Sequence, residues 1–233
     1  MMHSYISIDL ETTGLNPRWD KITEIGAVKV IDGTVTGTFS TLVNPGRKLD
    51  PEIAALTGIR DEELKTAPVI GQILPDLLEF LADLPLLGHS VLFDFSFLKK
   101  AAVDQRIEFR KQAVDTLRIA RKYLSQLEHR NLDFLCAYYG IPHQAHRALE
   151  DAVATQALYR RLAEQFGETG DSLFEPVEQV FRVKRDTPAT RFQKDKLYLL
   201  ARRHKIELGV DVEQLSRSEA SRMTDKILAR FGR

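Results

Sequence analysis

The stretch YISIDLETTGL, Tyr5 to Leu15, decides how the chain is read. Tyr5-Ile6-Ser7-Ile8 is rich in aromatic and β-branched residues, which predicts a strand. Side chains two apart on a strand share a face, so Asp9 and Glu11 point the same way. Thr12-Thr13-Gly14 then breaks the run. Two carboxylates held side by side repel, and are costly to desolvate unless a cation or a shared proton lies between them. A pair of acids at a strand end can also simply face water, the commonest fate of charged groups. The rest of the chain decides between these readings.

Working outward, Glu24–Asp32 and Thr34–Pro45 are β-rich runs joined by an Asp-Gly turn, which predicts a hairpin. Short helices are expected at Pro51–Thr57 and Asp61–Lys65, and a longer one at Gly71–Ala82, where Ile73, Leu77, Leu78 and Leu81 recur at helical spacing. Pro85–His89 and Ala113–Asp115 predict short strands. Helices are expected at Asp94–Ala102, Thr116–Leu124, Leu132–Tyr139 and Ala148–Phe166. The class is α/β. Residues 1–168 form one unit, 169–186 read as a linker or wrapping arm, and 187–233 as a small helical module. In that module Thr187-Pro188 predicts a helix start, with the helix running to about His204, and Ser216–Glu219 is a capping box for a final helix.

Composition excludes several classes. A chain of 233 residues that is 43% hydrophobic and 28% charged is that of a soluble globular protein. No apolar run reaches the roughly 18 residues of a membrane span. The single cysteine, Cys136, rules out an internal disulfide and reads as a buried thiol. Met1–Tyr5 lead straight into the first strand without a leader pattern, so a cytoplasmic location is expected. The net charge of zero hides an asymmetry: residues 1–181 carry 19 basic against 26 acidic residues, and residues 182–233 carry 14 against 7. A basic tail fits nucleic-acid contact, and equally a solvated helical face.

Further acids and a histidine complete a pattern. Asp94 in GHSVLFDFSFL (Gly88–Leu98) lies at the start of a helix, and alone reads as a helix cap. In HRALEDA (His146–Ala152), His146 and Asp151 would lie about 140° apart on one helix. If both serve one site, His146 must sit on the loop before it. DLETTG, then GHxxxFDxxFL, then HxxxxDA occur in order, with EIGAV (Glu24–Val28), VDTLRIAR (Val114–Arg121) and NLDFLCAYYGI (Asn131–Ile141) between them. Over residues 4–166 the chain resembles the DnaQ-like (DEDDh) 3′–5′ exonucleases, which include the epsilon proofreading subunit of bacterial replicative DNA polymerase.

The resemblance implies a ribonuclease H-like fold, a mixed five-stranded sheet flanked by helices. It implies that Asp9, Glu11, Asp94 and Asp151 hold two divalent metal ions and that His146 is the general base. Mg²⁺ and Mn²⁺ prefer oxygen ligands, which suits a carboxylate set. An ordinary imidazole titrates near 6.5, which suits a base at neutral pH. Thr12, Thr13, Gly14 and Leu15 would touch the terminal nucleotide, with His89 and Phe93 as weaker substrate candidates. Asp115 and Asp133 read as helix caps, and His129 and His143 as surface residues.

The expected substrate is DNA, with RNA open, because nothing in the sequence reads a 2′-hydroxyl. A DNA polymerase or a sliding clamp is a possible partner, since Asp171-Ser172-Leu173-Phe174 faintly resembles a clamp-binding peptide. Arg191, Lys194, Arg202, Arg203 and Lys205 could form a DNA-holding face, or belong to a packing helix with Phe192, Leu197, Leu200 and Ala201 inward.

Overall fold

A computed structural model describes residues 1–232. Strands β1 (Tyr5–Thr12), β2 (Ile22–Ile31) and β3 (Thr34–Leu42) form an antiparallel meander. Asp32 and Gly33 both have positive φ, 48° and 78°, the geometry of a tight hairpin turn. After α1 (Pro51–Thr57), α2 (Asp61–Thr66) and α3 (Ile70–Leu81), strand β4 (Leu86–Gly88) lies parallel to β1. Helix α4 (Leu92–Asp104) leads to β5 (Gln112–Asp115), parallel to β4. Helices α5 (Thr116–Tyr123), α6 (Leu132–Tyr139) and α7 (Ala148–Phe166) follow. The sheet order is β3-β2-β1-β4-β5, with one further strand beyond β5.

The sixth strand, β6 (Val177–Glu178), was not expected. It falls in the segment read as a linker and pairs antiparallel with Gln112 and Ala113. Its two residues cover the open edge of β5, a common way to protect an edge strand.

Both faces of the sheet are covered. Ile6, Ile8, Ile25 and Leu86 pack against Ile73, Leu77, Leu81, Phe95 and Leu98 of α3 and α4. Tyr5, Val28, Val30, Leu87 and Val114 pack against Ile119, Leu135, Leu158 and Leu162 of α5, α6 and α7. Ser7 donates from Oγ to the Ala152 carbonyl of α7 at 2.7 Å. Tyr5, Ser7, Asp9 and Glu11 therefore share the α7 face. Cys136 is buried, and burial pushes its thiol up to about 12.

The last segment has a core of its own, with Leu197 and Leu200 of α8 (Arg191–His204) against Val212, Leu215, Ala220 and Ile227 of α9 (Arg217–Phe231) and its approach. The N-cap of α8 is Thr190, which makes a capping box with Gln193. The expected start at Thr187-Pro188 is corrected: Pro188 instead bridges to Ser216. The box at Ser216 and Glu219 is present. Phe192 is 76% exposed, not inward, because five residues before Leu197 place it about 140° round the helix. Arg47 and Lys21 of the larger unit meet Glu219 at 2.5 and 3.2 Å, and Arg222 covers the Trp19 ring at 4.1 Å. Burial opposes ionisation of Glu219, but Lys21, the Ser216 cap and Arg47 hold its carboxyl below the usual range.

The tetrapeptide Asp171–Phe174 is not a free peptide. Ser172–Phe174 form a 3-10 turn, and Phe174 is buried beside Tyr123 and Tyr159. The fold keeps the Phe174 side chain for its own core.

One close approach positions the rest. A Cβ on Gly26 would lie 2.1 Å from the Ala148 carbonyl carbon, so the first turn of α7 rests directly on β2. A Gly26→Val protein should lose roughly 3 kcal/mol or more of stability, as an overpacked core does. Its denaturant midpoint should fall with an unchanged m value. A wild-type midpoint would show that α7 does not rest on β2 in this way.

Candidate active site

The end of β1 carries the first two acids. Asp9 lies opposite Gly26 and Glu11 opposite Glu24 on β2. Because Gly26 lets α7 descend, Asp151 in its first turn reaches them: oxygens of Asp9, Glu11 and Asp151 lie within 4.8 Å of one another. Asp94 is buried in the first turn of α4, whose N-cap is Val91, so it is not the cap that a lone acid suggested. One Asp94 oxygen, Oδ1, has no hydrogen-bond partner.

The acids oppose one another. Burial first, then Asp94, Asp151, Glu11 and Glu24, hold the Asp9 carboxyl well above the usual range. Burial, with Asp151 and Glu24 beyond what Arg147 offsets, pushes Glu11 up to about 7. Burial raises Asp94 well above its usual value despite backbone amides turned toward it. Burial also raises Asp151, against the pull of His143 and the His146 amide. Four like-charged groups with an unpaired buried oxygen are what an oxygen-liganded divalent cation would satisfy.

His146 sits on the loop before α7, as the angular argument required. Its φ of 67° is left-handed, and its backbone N–H donates to Asp151 Oδ2 at 3.0 Å. Its ring makes no hydrogen bond among the described residues. His143 corrects the sequence reading. Its side chain is buried, its Nδ1 meets Asp133 at 2.9 Å, and its Nε2 meets Asp151 Oδ1. Asp133 is therefore a His143 partner and not a cap; Asn131 caps α6. Asp115 does cap α5, accepting from the Leu117 amide.

The strand-break loop is closed on itself. Thr12 Oγ1 donates to the Gly14 carbonyl at 2.7 Å, and the Thr13 amide donates to the Lys21 carbonyl at 2.8 Å. A side chain on Gly14 would strike the Asp20 carboxylate, 2.6 Å from where its Cβ would lie. Leu15 projects from this loop and is 85% exposed. Phe93 is half-buried against Phe97, at 4.9 Å between ring centres, and Phe97 belongs to the core. His89 spends both ring nitrogens inside the protein, on Thr116 Oγ1 at 2.9 Å and the Arg130 carbonyl at 2.8 Å. Burial lowers its pKa. These bonds make it a pin between β4 and the segment before α6, not a group free to hold a nucleotide.

Glu24 was missed as a site residue. It is buried, its carboxylate receives Arg147 Nη2 at 3.0 Å and the Ala148 amide at 3.2 Å, and it thereby caps α7. An acid inside the otherwise apolar EIGAV strand was the available signal. His143 had none, because its loop brings it to Asp151 only in three dimensions.

An exonuclease family model, RNase_T, matches residues 6–159. The chain belongs to this exonuclease family. It is 35% identical over 164 residues to the DNA polymerase III subunit epsilon of Aquifex aeolicus, covering 70% of this chain and 81% of that one. It is 37% identical over 168 residues to the PolC-type DNA polymerase III of Caldanaerobacter subterraneus, covering 71% of this chain but 12% of that protein. The chain thus spans about an eighth of the length of that relative. Among solved structures, exonuclease X in complex with 5′-overhanging duplex DNA matches with a TM-score of 0.58 and 26% identity, over 70% of this chain and 93% of that one. Escherichia coli exonuclease I with a dT13 oligonucleotide matches with a TM-score of 0.64 and 19% identity, over 74% and 44%, a likeness of fold.

Without metal, Glu11 binds its proton more tightly folded than unfolded. The Glu11 contribution to stability is therefore fully present below its ordinary value of 4.5 and is lost as pH rises through about 7. Glu11→Gln should raise the metal-free melting temperature at pH 8, by about 2 kcal/mol or less in stability, with little effect at pH 4. Equal effects at both pH values would contradict the strain assigned to this cluster.

Proposed function

We propose that the chain is a metal-dependent 3′–5′ exonuclease that removes nucleoside 5′-monophosphates from a DNA strand, in proofreading or repair beside a DNA polymerase. The observation that carries this is the convergence of Asp9, Glu11 and Asp151, with buried Asp94 behind them, in a chain of the exonuclease family. DNA is favoured by the DNA polymerase III relatives and by the DNA-bound structures that share the fold.

The four carboxylates would hold two divalent ions, Mg²⁺ or Mn²⁺, which when bound lower the pKa of water and neutralise the phosphodiester. The residues of the chain do the rest. His146, on its left-handed turn and with a free ring, takes the proton of the attacking water. Water oxygen bonds to phosphorus, the bond from phosphorus to the 3′ oxygen breaks, and that oxygen is protonated from solvent. The closed loop of Thr12, Thr13 and Gly14 presents the exposed Leu15 to the terminal nucleotide. Glu24 and Arg147 hold α7, and so Asp151, in place.

The test is a side-by-side digestion of 5′-labelled DNA and RNA of one sequence with Mg²⁺. A ladder shrinking from the 3′ end of DNA is expected. His146→Ala should slow it about 10²- to 10⁴-fold, the range of a lost general base. Asp151→Asn should slow it at least as much. Wild-type rates in either variant, or digestion of RNA alone, would overturn the assignment.

A further inference from the structure

We infer that the groove between the strand-break loop, the arm Phe181–Asp186 and the start of α9 carries the sugar–phosphate backbone of the substrate strand behind its 3′ end. This rests on the reading of the chain as a strand-degrading enzyme. The groove encloses about 570 Å³; Arg18, Lys100, Arg182 and Lys184 line it beside Trp19 and Ser218, with Asp186 its one acid. It lies outside residues 6–159, which the exonuclease family accounts for, apart from the loop and Lys100.

The arm is fixed. Phe181 packs on the main core, and the Gln179 amide donates to the Lys111 carbonyl at 2.9 Å. At the other end, the Asp186 amide donates to Asp104 at 2.9 Å and its carboxylate meets Lys100 Nζ at 2.8 Å. Between these anchors the residues alternate: Phe181 and Val183 are half-buried, while Arg182 and Lys184 are exposed. The backbone that carries the two cations is thus fixed in advance, so binding need not order the arm.

The charges are also free. Lys100 is neutralised by Asp104 and Asp186. Among the described residues, Arg18, Arg182 and Lys184 have no carboxylate within 4.0 Å. The body of the chain, residues 1–181, has an excess of seven acids, so a polyanion is repelled by most of it. The basic arm supplies the local attraction that brings a strand to an acidic centre.

The groove and the centre share one loop. Thr12 to Leu15 lie at one end of it, and Arg18 and Trp19 line the groove. Lys21 closes the loop and is held by Glu219 of α9, while Arg222 of α9 covers Trp19. Helix α9 therefore sets one wall of the groove. The basic face of α8 is a weaker candidate, since Lys194 is already paired with Glu213 at 2.7 Å.

The experiment uses the full chain with Arg182→Ala and Lys184→Ala together, and the two glutamine substitutions as a second variant. Two DNA probes are used: a 20-nucleotide single strand, and the p-nitrophenyl ester of thymidine 5′-monophosphate, which is one nucleotide long. The double variant should lose about tenfold in kcat/KM on the 20-mer at low salt and keep the wild-type rate on the ester. With Ca²⁺ replacing Mg²⁺, the slope of log affinity against log salt should become shallower by roughly 1.4, two phosphate contacts on a single strand. A 20-mer of RNA should lose affinity by the same factor, because the contacts are to phosphate. Wild-type kinetics and slope on the 20-mer, or a loss confined to one sugar type, would overturn the inference. If the wild type cut neither DNA probe, the exonuclease reading would fall, and the salt slope would still decide for or against the groove.

Discussion

The structure depends on the descent of one helix onto one strand. Helix α7 rests on β2 at Gly26, where no side chain could stand between it and the sheet. Ser7 holds the helix by the Ala152 carbonyl, and Glu24 takes the amide that opens it. This close approach lets Asp151 reach Asp9 and Glu11. A slightly higher helix would leave three separated acids and no centre.

That contact gathers groups that repel. Asp9, Glu11, Asp94 and Asp151 all resist ionisation, and burial is the leading cause for each. The fold tolerates them because the flanking packing is extensive on both faces of the sheet. Such repulsion is a standing preference for divalent cations, and it links the rigidity of the scaffold to the proposed chemistry. His143 and Asp133 form a second line, holding one oxygen of Asp151 while the His146 amide holds the other.

The sequence made the acids legible because their spacing is short-range physics. Period two placed Asp9 and Glu11 on one face, and the angle between His146 and Asp151 forced the histidine onto a loop. The hairpin, the helices flanking the sheet and the Ser216 capping box followed from equally local rules. What stayed hidden was tertiary. His143 reaches Asp151 through a loop whose course no periodicity reports. His89 carries a family-like position, yet its two ring nitrogens are spent on Thr116 and Arg130. The edge strand Val177–Glu178 is too short to have a pattern, and Phe174 looked like a ligand motif until the core closed over it. The residue Pro188 misled because proline favours a helix start, while Thr190 with Gln193 supplied the stronger cap.

The carboxylate cluster could hold divalent cations, and the proposed chemistry needs it to. The most direct measurement is Mn²⁺ binding by electron paramagnetic resonance, on the wild-type chain and on Asp9→Asn, with a deoxynucleoside 5′-monophosphate present. The account expects two saturable ions per wild-type chain and the loss of at least one in the variant. No saturable binding in the wild type, or the same binding in Asp9→Asn, would contradict it.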